Sequence, residues 1–311
     1  MKMHDATFDE NRFHDEDAAR QFLEAIIWPN GPVCPHCGSS ARICRIESQS
    51  KEKGKGARPG LRACGDCRKQ FSVTVGTVFE RSKVPLHKWL LATHLMCSSK
   101  KGISSLQLQR LLHVTYKTAW FMAHRIREAM KPDNSEMLGG NGPVEADETY
   151  IGIKPGRKKA RRGYGHKNAV LSLVERNGQV RSFHVPSVKA DTLKPYLKAN
   201  IIPEAHLMTD DAGQYRLIGP EFAYHDVVAH SQGEYARGRV HTNTVEGFFS
   251  IFKRGIYGVY QHVSVLHLHR YTTEFDFRYN HRAKLGFDDT QREAQALKGI
   301  AGKRLTYRRN D

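Results

Sequence analysis

Two kinds of residue in this 311-residue chain are spaced for chemistry: cysteines in close pairs, and carboxylates set into or just beyond apolar runs. Cys34-Pro-His-Cys37 and Cys64-Gly-Asp-Cys67 are two Cys-x-x-Cys knuckles with 26 residues between them. That spacing lets both sulfurs of a knuckle reach one ion, and four thiolates complete a tetrahedral zinc site. A redox dithiol and a pair of disulfides are the alternatives. The polar, Lys- and Gly-rich stretch from Ser48 to Gly60 leaves so short a segment little core, so zinc would hold it together. His36 is a weaker ligand candidate than any of the four cysteines. Cys44 and Cys97 have no partner at ligand spacing and are expected to be buried thiols.

The carboxylates fall in three places. Val144 to Gly152 alternates as a strand, with Glu145, Asp147, Thr149 and Ile151 on one side and Val144, Ala146, Glu148 and Tyr150 on the other. An acid inside a strand is costly if buried unpaired, and a metal or basic partner removes that cost; a wet sheet face is the plain alternative. Asp210 and Asp211 end a short apolar strand, where charged groups gather in α/β active sites. Glu246 sits in the first turns of a helix opening at Asn243. Lys253 follows seven residues later, so both side chains share a helix face. Such a pair suits a metal site that handles phosphate, the carboxylate holding the metal and the lysine the phosphate charge. The plain reading makes Asn243 an N-cap to which Glu246 reaches back.

The net charge of +17 favours a polyanionic partner, most simply nucleic acid. No apolar run is long enough to span a bilayer, and the first residues lack the apolar stretch of a signal peptide. The expectation is a cytoplasmic protein, nucleoid-associated when bound to DNA, whose thiols bind metal rather than pair.

The elements that must position these groups follow in order. Residues 15–27 have helical apolar spacing, closed by Pro29 and Gly31. Residues 71–79 alternate as a strand finishing the cysteine segment. Three helices are expected from Pro85, from Ser104 or Ser105, and over 116–130. The last two, joined by a tight turn, form a helix-turn-helix pattern, with Lys117, Thr118, His124, Arg125 and Arg127 facing outward toward DNA; a plain helical hairpin is the competing reading. Residues 132–142 are a turn-rich linker. Beyond them, Lys154 to Lys167 holds seven basic residues and no acid, and its Lys158, Lys159, Arg161 and Arg162 suit a backbone-phosphate clamp. Strands at 169–174 and 180–185 join through Asn177-Gly178, a hairpin signal. A helix over 191–200, capped by Asp191, a strand at 205–211 and another at 222–229 precede the helix from Asn243. A final amphipathic helix from Leu266 has Tyr271, Phe275 and Phe277 as core, and the basic end of the chain is expected to be loose.

Strands with an acid inside the first, a helix, a strand ending in an acid, then a helix with a glutamate is the order of the ribonuclease-H-like fold. The four-cysteine segment, Val75-Gly-Thr-Val-Phe79, Val144-Glu-Ala-Asp-Glu-Thr-Tyr-Ile-Gly152, Met208-Thr-Asp-Asp211 and His241-Thr-Asn-Thr-Val-Glu-Gly-Phe-Phe-Ser-Ile-Phe-Lys-Arg254 together resemble the zinc-ribbon DDE transposases of insertion sequences, the IS1595 group. The resemblance runs from about residue 17 to about 285. It implies a helix and zinc ribbon over 1–82, a helix-turn-helix over 83–131, an α/β, ribonuclease-H-like catalytic domain over 143–285 and a basic tail over 286–311. It also implies two-metal DNA cleavage and strand transfer, with Asp147, Asp210 and Glu246 holding Mg²⁺ (or Mn²⁺), and Lys253 and Arg254 on DNA. Asp210 rather than Asp211 matches the family's Thr-Asp step. Asn243 is open between capping and supporting a metal-bound water. Double-stranded DNA and further copies of the chain are the implied partners. The competing readings are a non-catalytic zinc-ribbon regulator and another ribonuclease-H-like nuclease, such as a junction resolvase.

Overall fold

A computed structural model describes residues 9–47, 58–132, 136–160 and 163–306. The chain forms two compact units, one from residues 1–99, 103–131 and 288–311, the other from 100–102 and 132–287.

The first unit opens with helix α1 (Glu16–Ile27), whose Asp15 cap accepts from the Ala18 N–H at 2.7 Å. A small antiparallel sheet follows, β1 (Ile43–Arg45), β2 (Arg62–Cys64) and β3 (Gln70–Phe71). The strand expected over 71–79 is confined to its first residue; beyond it the backbone turns, burying Val73, Val78 and Phe79. Helices α2 (Leu86–Ser98), α3 (Ser105–Leu112) and α4 (Tyr116–Ala129) come next. A Ser104–Gln107 capping box opens α3, and left-handed His113 ends it, so the turn into α4 is tight.

The second unit is built on a five-stranded sheet of β4 (Val144–Ile151), β5 (Asn168–Glu175), β6 (Val180–Val185), β7 (His206–Asp210) and β8 (Tyr224–Val228), in spatial order β6-β5-β4-β7-β8. β4, β5 and β6 pair antiparallel, and β7 pairs parallel to β4 and β8. The hairpin at Asn177-Gly178 forms as its sequence predicts, with Asn177 left-handed. Every residue of β5 is buried, and its alternation feeds two cores. Ala169, Leu171 and Leu173 join Leu193 and Leu197 of α5 (Ala190–Asn200) and Tyr215 and Ile218 of α6 (Gly213–Ile218) on one face. Val170 and Val174 join Val245, Phe248, Phe249 and Phe252 of α7 (Asn243–Gly255) and Leu268, Tyr271 and Phe275 of α8 (Val265–Asn280) on the other. A hairpin of β9 (Ala236–Arg237) and β10 (Val240–His241) leads into α7. Lys189, not Asp191, is the N-cap of α5; Asp191 lies in its first turn.

The chain then returns to the first unit as α9 (Asp289–Lys298). The expected basic tail is therefore in large part a packed helix. Ala296, Leu297 and Ile300 are buried, and the fully buried Glu293 carboxylate accepts from Arg12 Nη1 at 3.3 Å and meets His94 Nδ1 at 3.0 Å. The segment's many cations conceal this apolar stripe in a charge-based reading. Cys97 is buried as expected, whereas Cys44 is exposed on β1, a strand too short to cover it.

Gly255 ends α7 against the second core, where a Cβ would lie 2.2 Å from Phe275 Cζ and 2.7 Å from the Lys101 carbonyl oxygen. Gly255→Ala should destabilise the protein by about 2 kcal/mol through overpacking, read as a melting temperature lower by roughly 5 °C.

Candidate metal centres and the acidic site

The cysteine knuckles converge. Cys34 and Cys37 precede β1, Cys64 ends β2 and Cys67 lies in the turn beyond, and all four sulfurs fall within 4.8 Å of one another. Cys34–Cys67 and Cys37–Cys64 sulfurs are each 3.6 Å apart, close to the ~3.8 Å edge of a tetrahedron with Zn–S bonds of about 2.3 Å. Burial works to raise the Cys34 thiol, but the backbone N–H groups of His36 and Cys37, together with the Cys67 and Cys37 thiols, outweigh it and pull it down to about 6. His36 is not in the cluster; its Nε2 lies 3.4 Å from the Gln70 carbonyl oxygen. Removing zinc with a chelator, or Cys37→Ser, should release about one zinc per chain and expose residues 28–79 to protease.

The carboxylates of the second unit converge through strand register. Val144 stands opposite Leu207 and Glu145 opposite Met208 in the parallel pair, and counting on sets Asp147 level with Asp210. Asp147 carries the stronger perturbation. Burial, then the charges of Glu148, Asp210 and Glu246, push its carboxyl well above the usual range. Asp210 is raised by burial, with the Asp211 and Glu246 charges adding to it. The described hydrogen bonds leave these groups wanting a cation: Asp147 accepts the Glu148 N–H at 2.6 Å and Asp210 the Ala212 N–H at 3.1 Å. Their charges act on one another, and hard carboxylate oxygens suit a divalent metal such as Mg²⁺ or Mn²⁺; among the described residues, however, only the four cysteines bring three or more ligand atoms within 4.8 Å of one another. Asp211 points elsewhere. The Ser231 hydroxyl donates to it and holds it below the usual range.

Glu246 enters from α7. Its Oε1 accepts from the Thr242 hydroxyl at 3.0 Å and lies 3.7 Å from His230 Nε2. Asn243 is not the cap. Thr242 holds that position, its side chain makes no cap bond, and Asn243 is the first helical residue. The free N–H groups of the first turn go instead to Glu145, whose carboxylate accepts from Thr244 N at 2.8 Å and Val245 N at 2.9 Å. Lys253 and Arg254 are exposed near the end of α7. At two turns, Lys253 lies about 10 Å along the axis from Glu246. Arg254 donates back to the Ser250 carbonyl and hydroxyl.

Sequence reasoning missed Glu148 and His230. Alternation puts Glu148 on the face opposite Asp147, and there it does meet Gln214 of α6. Yet charge acts across the strand: the Glu148 charge raises Asp147, the Asp210 charge raises Glu148, and burial pushes the Glu148 carboxyl up to about 7. His230 precedes the hairpin and carried no signal beyond its residue type.

The expected DNA-facing residues divide. Lys117 is exposed in the first turn of α4, and Thr118 shares a 2.8 Å contact with the Thr115 hydroxyl. His124, Arg125 and Arg127 are buried, contrary to the expected outward basic face. Arg125 donates to the Glu80 and Leu305 carbonyls and lies over the Trp89 and Phe121 rings, and His124 packs edge-on to Trp120. Long basic stems can cover apolar surface while backbone carbonyls satisfy their heads, which a charge-based face assignment overlooks. Lys158 and Lys159 are exposed; Arg161 and Arg162 lie outside the described residues.

Residues 14–70 match a transposase zinc-ribbon domain and residues 138–280 an ISXO2-like transposase domain of the IS1595 group. A protein of Halobacterium salinarum, described as an uncharacterized protein in transposable element ISH50, is 31% identical over 260 residues, covering 78% of this chain and 83% of its own length. The chain belongs to the IS1595 transposase family. The four-cysteine cluster is thus the zinc site of a transposase zinc ribbon, and the acids lie in the transposase domain. Among the described residues no helix is long and apolar enough to cross a membrane.

A carboxyl raised above its ordinary value binds its proton in the folded state after the unfolded chain has lost it. Its contribution therefore falls as pH rises from about 4 through the raised value. For Glu148, that window ends near 7. With no Mg²⁺ or Mn²⁺ added, Asp147→Asn should consequently raise the melting temperature at pH 8 by a few degrees and by clearly less at pH 5. Mg²⁺ should stabilise the wild type at pH 8 more than the variant. Equal effects at both pH values would refute the electrostatic account.

Proposed function

We propose that this transposase cuts and joins DNA at the ends of its own insertion sequence by two-metal phosphoryl transfer. The convergence of Asp147, Asp210 and Glu246 carries the reading. The β4–β7 register, continued two residues, supports setting the first two level, and α7 offers the third. The order β6-β5-β4-β7-β8, with three antiparallel strands and then two parallel ones, supports a ribonuclease-H-like domain. When bound, two Mg²⁺ ions would activate water or a DNA 3′-hydroxyl and stabilise the leaving oxygen. Asp147, Asp210 and Glu246 are their holders; Glu148 and His230 shape the field around them. Lys253 sits far enough along α7 to bind a phosphate flanking the cut rather than the acids themselves.

DNA binding is divided among exposed cations. Helices α3 and α4 act as a helix-turn-helix that presents Lys117 and Thr118, while Lys158, Lys159 and Arg254 meet the backbone. End pairing calls for at least two copies of the chain, working in the cytoplasm on nucleoid DNA. The regulator reading is disfavoured, since a binding module has no use for buried carboxylates that repel one another.

Incubated with DNA carrying the flanks of its gene, the wild type should cleave at the element ends with Mg²⁺ and not with chelator. Asp147→Asn and Glu246→Gln should lose at least ~10³-fold in rate, and Lys253→Ala about 10²-fold, with end binding retained. Tight binding without cleavage under any divalent ion would favour the regulator.

A further inference from the structure

Glu145 is a fully buried carboxylate on the strand that bears Asp147, and the acidic site does not use it as a ligand. Four hydrogen bonds converge on it, and His241 Nδ1 lies 3.3 Å from its Oε1. Oε1 accepts from Arg176 Nε at 2.6 Å and Thr244 Oγ1 at 2.7 Å; Oε2 accepts from Thr244 N at 2.8 Å and Val245 N at 2.9 Å. The two N–H groups belong to the open first turn of α7, which lacks a side-chain cap of its own. Arg176, from the β5–β6 turn, fixes the other side. It also donates to the Arg239 carbonyl at 2.6 Å, the His241 carbonyl at 2.8 Å and His241 Nδ1 at 2.9 Å. One residue beyond Val245 stands Glu246.

We infer that Glu145 is a positioning residue for the third acid: clamped by Arg176, it holds the start of α7 on β4 and so fixes Glu246 relative to Asp147. A helix that enters a metal site by its first turn has its freest backbone where its ligand is attached. A carboxylate suits that place because it accepts two N–H groups in one plane and favours the positive end of the helix dipole. Asp147 lies two residues along the same strand, so strand and helix ligands share one anchor. This inference rests on the metal reading for the acids, but the anchor itself does not.

Two measurements on the full zinc-loaded chain separate these. With zinc in the ribbon but no Mg²⁺ or Mn²⁺ added, Glu145→Gln replaces one oxygen by an amide that donates, so it opposes two of its present partners. Amide exchange at Thr244 and Val245 should speed at least ~10-fold, with β5 unchanged; unaltered exchange overturns the inference. Mn²⁺ binding, followed by electron paramagnetic resonance, should weaken about 10-fold in Glu145→Gln, the scale of losing an outer-shell partner. The double variant with Glu246→Gln should bind Mn²⁺ no worse than Glu246→Gln alone. Additive losses would mean that Glu145 acts independently and would overturn the inference. Wild type that binds no Mn²⁺ at the acids would defeat the metal reading, leaving the exchange measurement to decide the anchor. Should Glu145→Gln not fold, Thr244→Val removes a single donor; about threefold weaker Mn²⁺ binding supports the inference, and wild-type affinity with wild-type exchange refutes it.

Discussion

Like charges forced together away from water are the constraint on which the second unit turns. Asp147, Glu148 and Asp210 sit near one another on β4 and β7, and burial and mutual repulsion raise all three carboxyls above their ordinary range. No packing interaction favours that arrangement, so the rest of the domain must impose it. Two apolar cores, one on each face of the sheet, fix the strands on which the acids ride. The repulsion that remains is what a divalent cation would relieve, which makes the site cation-seeking by construction.

The two units meet a shortage of favourable burial in different ways. The zinc ribbon has short strands and little core, and four soft sulfurs set at tetrahedral spacing stand in for one. The sheet of the second unit has ample core, and its difficulty is local: a helix must deliver a carboxylate by its first turn, where the backbone is least constrained. There, buried Glu145 takes the place of a cap, and Arg176 ties it to the hairpin that leads into α7. Elsewhere the chain uses the same device for packing alone. Glu293 joins α9 to Arg12 and His94, and Asp276 accepts from the Ser182 N–H at 2.7 Å.

Several differences between sequence and structure have one cause. Charge suggests solvation, yet Arg125 and Arg127, expected to face outward, are buried, as is Glu293 in the segment expected to be a basic tail. Charge alone does not say whether a partner will be present, because carbonyls, helix N–H groups and ion partners come from residues far along the chain. Asn243 shows the converse. A good capping residue stood at the right place, but Glu145, nearly a hundred positions earlier, already held the N–H groups it would have taken. Glu148 lies on the face that alternation assigns it, but its charge still reaches Asp147 across the strand, which a face assignment does not count.

What the sequence determined by itself was whatever depends on near neighbours. The Cys-x-x-Cys spacing fixed a zinc site, the Asn177-Gly178 turn a hairpin, and the alternation around Asp147 the side of the strand it faces, because turn geometry and side-chain period act over a few residues. It also carried the ordered motifs by which the family is recognised. Only the tertiary structure decided which basic residues of α4 remain at the surface and what closes the N-terminus of α7. Those outcomes depend on packing between distant segments, which, rather than any local preference, sets which groups meet.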